Sequence, residues 1–159
     1  MNVKEAKSFL KTRLDRTVIN TYKKYGFSTN GLVSSNDWEV FAAILFDEVK
    51  KPYGSDLQNY EVKSAVCGNS FEYQYHKRSG PRKLEEDKKV KHLFITYSSD
   101  YKSISVWLME CSQLTQKFDS WAKGIQESYA QGKQRYRKNI PYGLVKEKAK
   151  LLFELVENE

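Results

Sequence analysis

Cysteine and histidine are scarce, with two of each among 159 residues. Cys67 and Cys111 are too few and too far apart for a disulfide framework, and no four-ligand zinc spacing exists. Long apolar runs are missing too. No stretch approaches the ~20 residues that span a bilayer, and the N-terminus lacks the apolar core of a secretion signal. These absences predict a reduced, cytoplasmic protein with no membrane partner. No break in composition marks a second unit, so residues 1–159 read as a single domain long enough to bury a core.

Positive charge and aromatic rings are abundant. The net charge is +7, which favours a polyanionic partner. Aromatic residues make up 14% of the chain, and its 11 tyrosines are enough for a contact surface as well as a core.

The most informative stretch runs from Gly54 to Val66, a Gly-Ser turn carrying Asp56 followed by a short alternating strand. Residues two apart on a strand point the same way, so Glu61 and Lys63 emerge together, opposite Tyr60, Val62 and Val66. Asp56 can fold back toward the strand's start, gathering two carboxylates and one ammonium at a point. Two hard carboxylate oxygens suit magnesium, which keeps waters and phosphate in its other positions. Such a site activates water and steadies charge in phosphodiester hydrolysis. A lysine beside it can orient or deprotonate the water, or stabilise the developing charge. The bland alternative is an ordinary charge pair on a strand.

Around this stretch the pattern predicts further elements. A helix over residues 3–25 carries the stripe Val3, Ala6, Phe9, Leu10, Leu14, Val18, Ile19 and Tyr22, stopping at Gly26. After a loop, Asn36 caps a second helix with Glu39 as its capping-box partner. Its buried face is Trp38, Phe41, Ala42, Ile44, Leu45 and Val49. Glu39 and Glu48 are both candidates for an accessory acid, although capping alone accounts for Glu39. Phe71–His76 alternates as a strand with Glu72, Gln74 and His76 on one face, suited either to base edges or simply to solvent. Residues 77–91, with seven positive side chains against three acids, read as a solvated run or a phosphate-contacting one.

Strands are expected at His92–Tyr97, nearly continuous in apolar character, and at Ser103–Met109, with Ile104, Val106 and Leu108 facing the core. A helix follows over 113–130. Lys133, Arg135, Arg137, Lys138 and Asn139, with Tyr136 among them and no acid, form a basic loop suited to holding phosphates and touching a base. A last helix is expected from Leu144 to Val156, ahead of a solubilising Glu157-Asn158-Glu159 end.

The order of these parts, with Asp-x4-Glu-x-Lys straddling a turn and a strand, resembles the PD-(D/E)xK nuclease superfamily. Ser55 stands where that pattern has proline. The resemblance implies an α/β fold, a restriction-endonuclease-like mixed β-sheet core flanked by α-helices. It also implies that Asp56 and Glu61 bind Mg2+ while Lys63 assists the water. Within the superfamily the chain is similar to the small homodimeric type II restriction endonucleases. The likeness is carried by Tyr22-Lys-Lys-Tyr-Gly26, Gly54-Ser-Asp56 and Tyr60-Glu-Val-Lys-Ser64, then Leu93–Tyr97, Phe118-Asp-Ser-Trp121 and Asn139-Ile-Pro141. Phe71–His76 falls where such an enzyme has a histidine-rich base-reading strand; here Gln74 and Tyr75 replace two histidines and His76 remains.

The resemblance thus implies a homodimer cutting double-stranded DNA at a short palindrome, paired in its host with a DNA methyltransferase. Expected DNA contacts are Gln74, His76, Lys77, Arg78, Lys133, Arg135, Arg137, Lys138 and Asn139. The alternatives are a junction-resolving or homing nuclease of the same superfamily, or a basic nucleic-acid-binding domain without catalysis.

Overall fold

Strands with apolar residues on both faces set the frame. In the computed structural model, which describes residues 1–157, β1 (Tyr60–Val66) lies parallel to β3 (Lys91–Tyr97). β3 in turn pairs antiparallel with β4 (Ser103–Met109), and β4 with β6 (Lys150–Val156), in the order β1-β3-β4-β6. A separate antiparallel ribbon joins β2 (Phe71–His76) to β5 (Arg135–Ile140). The β1-to-β3 connection carries β2 and the helix α4 (Gly80–Asp87).

Period-two alternation sorts the sheet's side chains onto two faces. Val62, Leu93, Ile95, Tyr97, Ile104 and Val106 pack against the helices α1 (Val3–Arg13), α2 (Arg16–Lys24) and α3 (Ser35–Phe46). On the opposite face Ala65, Phe94 and Met109 meet Phe71, Tyr73 and Tyr75 of β2 and Phe118, Trp121 and Ile125 of α5 (Thr115–Ala130). The fold is mixed α/β, with a mixed sheet flanked by helices. β3 is buried from His92 to Tyr97, as a near-continuous apolar run requires of a central strand.

Several boundaries differ from the sequence reading. The N-terminal helix breaks at Leu14, which is extended, because Asp15 caps a new helix by accepting from the N–H groups of Thr17 and Val18. Ser34, not Asn36, caps α3, and Asp37 completes the box. That helix ends at Asp47 in the left-handed region, leaving Val49 beyond it and exposed. The basic segment 135–140 is strand β5 rather than a loop. The expected last helix is short, α6 (Tyr142–Lys148), and gives way to β6. Glu157 pairs with Arg16, while Asn158 and Glu159 lie outside the described residues.

Candidate functional site

The turn before β1 is built by local constraints. Gly54 has φ +87°, and a Cβ there would sit 2.9 Å from Glu86 Cγ, so only glycine fits without strain. Ser55, buried, donates to the Leu57 carbonyl at 2.8 Å. The turn thereby folds back on the strand. The Asp56 N–H donates to Glu61 Oε2 at 3.1 Å, and the Val62 N–H donates to Asp56 Oδ2 at 2.9 Å. Lys63 Nζ lies 2.6 Å from Glu61 Oε1. Asp56, Glu61 and Lys63 therefore meet at one point, at the edge strand of the sheet.

Two further charged groups join them. Lys83, one turn before Asp87 on α4, bridges Glu61 Oε1 at 2.8 Å and Asp87 Oδ1 at 3.1 Å. The hydroxyl of Tyr75 donates to the other Asp87 oxygen at 2.9 Å. Below the cluster, His92 is completely buried. A carbonyl can only accept, so the 2.8 Å contact to the Asp87 oxygen puts the proton on Nε2. His92 Nδ1 then accepts from the Tyr73 hydroxyl, also at 2.8 Å. The Lys63 ammonium stands 4.9 Å from the centre of the Tyr73 ring. Sequence reasoning placed Lys83 and Asp87 in a charge run, either solvated or phosphate-contacting. An i,i+4 Lys–Asp pair in a charge-rich segment carries no mark of burial, so no signal distinguished them.

Burial and neighbours tune these groups in opposite directions. Burial, reinforced by Glu61, raises the Asp56 carboxyl to about 6. Burial would raise Glu61 as well, but Lys63 and Lys83 outweigh it and hold Glu61 down to about 2. Both lysines resist the lowering that burial imposes, and both are raised by the carboxylates around them. Asp87 is raised to about 7, by burial and then by Glu61. Burial lowers His92 to about 4.

The cluster opens into a cleft of about 440 Å³. Asp56, Lys63 and Lys83 line it together with Glu72, Gln74 and His76 of β2. In an antiparallel ribbon, directly paired residues share a face. The register therefore sets Asn139 beside Glu72, Arg137 beside Gln74 and Arg135 beside His76. This face is polar and mostly exposed, and the Gln74 amide donates to the Glu72 carboxylate across it. Lys77, Arg78 and Lys133 are exposed at the ribbon's end, where the Lys77 N–H donates to the Gln134 carbonyl. Lys138 alternates to the other face of the ribbon from Arg135, Arg137 and Asn139, its ammonium 5.6 Å from the Tyr136 ring centre.

Of the two accessory acids, Glu39 lines the cleft and pairs with Lys50 at 2.9 Å. Glu48 instead holds the Asn59 backbone and side chain, the latter at 2.7 Å, and does not line the cleft. Among the described residues no group of three His, Cys, Asp or Glu side chains is placed to hold a metal. The adjacent carboxyls of Asp56 and Glu61 nonetheless suit a hard divalent ion that takes two protein oxygens and fills its sphere with water and phosphate. The Asp56 carboxyl is raised first by burial and then by the neighbouring Glu61, and a nearby cation would favour its ionised form. Among the described residues no helix is long and apolar enough to cross a membrane. In comparison with known proteins, no family model matches the chain and no curated protein is significantly similar to it.

Proposed function

We propose that the chain is a magnesium-dependent endonuclease of the PD-(D/E)xK type that hydrolyses duplex DNA at a short site, acting as a type II restriction enzyme. One observation carries the reading: Asp56 and Lys63, gathered around the buried Glu61, line the same cleft as the polar face of β2. A two-stranded ribbon fits the B-DNA major groove, and glutamine and arginine side by side can each make bidentate contacts, to adenine and to guanine. Gln74 and Arg137 occupy neighbouring register positions on that face. Arg135, Lys77, Arg78 and Lys133 supply positive charge for the flanking phosphates.

Asp56 and Glu61 would hold the ion, which supplies a bound water of lowered pKa and steadies charge on the phosphoryl oxygens. Lys63 is raised above the usual lysine range by Glu61 and Asp56 against the effect of burial, so it is an ammonium. It therefore orients the water and faces the developing negative charge rather than abstracting a proton. The water gives up a proton to bulk solvent as its oxygen adds to phosphorus, the bond to the leaving sugar oxygen breaks, and that oxygen takes a proton from solvent.

Two copies reading a palindrome would dimerise. The N-terminal helices provide a surface for this: α2 buries only Ile19, and Val18, Tyr22, Tyr25 and Phe27 are exposed. In this reading the enzyme works in the cytoplasm beside a methyltransferase that protects host DNA.

A non-catalytic DNA-binding domain is favoured by one observation: Glu61 is 0% exposed, and both its oxygens are engaged by protein donors. Incubating a linearised plasmid of known sequence with Mg2+ separates the readings. Discrete fragments with common ends are expected. Cleavage confined to branched DNA would point to a junction-resolving enzyme, and no cleavage with any divalent ion would leave only the binding domain.

A further inference from the structure

Helix α4 brings two charges into the centre that the reading above leaves without a role. Lys83 Nζ lies 2.8 Å from Glu61 Oε1, 3.1 Å from Asp87 Oδ1 and 3.4 Å from the Gly54 carbonyl. Glu61 and Asp87 are fully buried, while the Lys83 side chain is 23% exposed toward the cleft. Glu61 Oε1 already meets two ammonium groups, those of Lys63 and Lys83, and Oε2 takes the Asp56 N–H. A divalent cation drawn to Glu61 thus approaches an oxygen whose charge is spoken for, and like charges at such distances repel strongly in a site of low dielectric.

One ammonium must yield, and the two lysines differ in their freedom to do so. Lys63 has Glu61 as its ion-pair partner and stands over the Tyr73 ring. Lys83 has a second carboxylate already within hydrogen-bond reach, and Tyr75 fixes that carboxylate through its other oxygen. A small rotation of one flexible side chain transfers Lys83 wholly to Asp87.

We propose that Lys83 is a tethered counter-ion of Glu61 that passes its ammonium to Asp87 when a divalent cation takes Glu61, so that the pull of Asp87 sets the metal affinity of the site. This rests on the reading of Asp56 and Glu61 as metal ligands. Lys83 is a positioning residue here: its ammonium, 2.8 Å from Glu61 Oε1, occupies that oxygen in the metal-free site, and its displacement admits the ion.

The test is Mg2+ alone, without DNA, titrated into the full-length protein by calorimetry. Lys83→Met should tighten Mg2+ binding by about tenfold or more, because the competing charge is gone; a merely structural Lys83 would weaken it. Asp87→Asn should weaken binding by a similar factor, because Lys83 loses its alternative partner. In the Lys83→Met background the same Asp87→Asn change should alter affinity by less than about twofold. Unchanged or weaker binding in Lys83→Met overturns the handover, as does an equal effect of Asp87→Asn in both backgrounds. Should Lys83→Met fail to fold, 15N NMR of the wild-type lysine ammonium groups decides: the Lys83 signal shifts on Mg2+ addition if the handover occurs, and its constancy through saturation overturns it. Absence of any Mg2+ binding by the wild type overturns the metal reading together with the handover, whereas equal affinity in all variants overturns the handover alone.

Discussion

Strand β2 has two faces with opposite electrostatic regimes. Tyr73 and Tyr75 point inward, where their hydroxyls tie to His92 and Asp87 beneath a cluster of five buried or half-buried charges. Glu72, Gln74 and His76 point into the cleft, beside the exposed Asn139, Arg137 and Arg135 of β5. Charges out of water interact strongly and are costly to leave unpaired; those in water interact weakly. Substitutions at the centre should therefore change stability and chemistry together, whereas those on the ribbon should change DNA affinity and leave stability alone.

The largest effect is expected at Glu61. Glu61→Ala removes the carboxylate shared by Lys63 and Lys83 and should destabilise the protein by about 3–5 kcal/mol in urea unfolding. A change under ~1 kcal/mol would show that the cluster is not the tightly coupled unit described here.

His92 comes next. Its folded pKa is lowered from 6.5 to about 4, so the unfolded chain binds the proton more tightly. The stabilising effect of keeping it neutral is complete above pH 6.5 and is lost as pH falls toward 4. The pH dependence of stability in that window should contain about 3 kcal/mol from this residue, and the slope should shrink in His92→Gln.

Asp56 runs the other way. A carboxyl raised from 3.8 to about 6 favours the folded state when protonated and costs stability as pH rises through that range. At pH 7 with chelator present, Asp56→Asn should raise stability by up to ~2 kcal/mol while abolishing cleavage. A destabilised Asp56→Asn would mean that burial and the neighbouring Glu61 do not disfavour the charged carboxylate as described.

The smallest stability effects belong to the ribbon. Arg135→Ala should weaken binding across all sequences and lower the salt slope by about 1. Gln74→Ala should relax discrimination at one base pair, by about 1–3 kcal/mol. Both should unfold within ~0.5 kcal/mol of the wild type, and a larger loss would erase the contrast between the faces.

The meeting of Asp56, Glu61 and Lys63 was legible in the sequence because it is written locally. Asp56, Glu61 and Lys63 lie within eight consecutive residues, and a turn followed by a strand suffices to bring them together. The rest depended on partners distant in the chain. β5 buries only Ile140 fully, so its two-residue period is hidden beneath Arg135, Arg137 and Lys138, and it becomes a strand by pairing with β2. Leu151, Leu152 and Leu155 suit a helix equally well; the open edge of β4 makes them a strand. Asp15 was overlooked because Leu14 and Val18 continue the apolar stripe across the break. Lys83 looks like any surface lysine until Glu61 is seen opposite it.

Lys63→Ala, assayed in parallel for Mg2+-dependent cleavage of plasmid DNA and for DNA affinity in the presence of Ca2+, tests the central claim most directly. Cleavage should fall by at least about a hundredfold while affinity stays within about threefold, since the proposed catalytic lysine and the proposed base-contacting residues Gln74 and Arg137 are separate side chains on different strands. Undiminished cleavage would contradict the assignment of the reaction to this site.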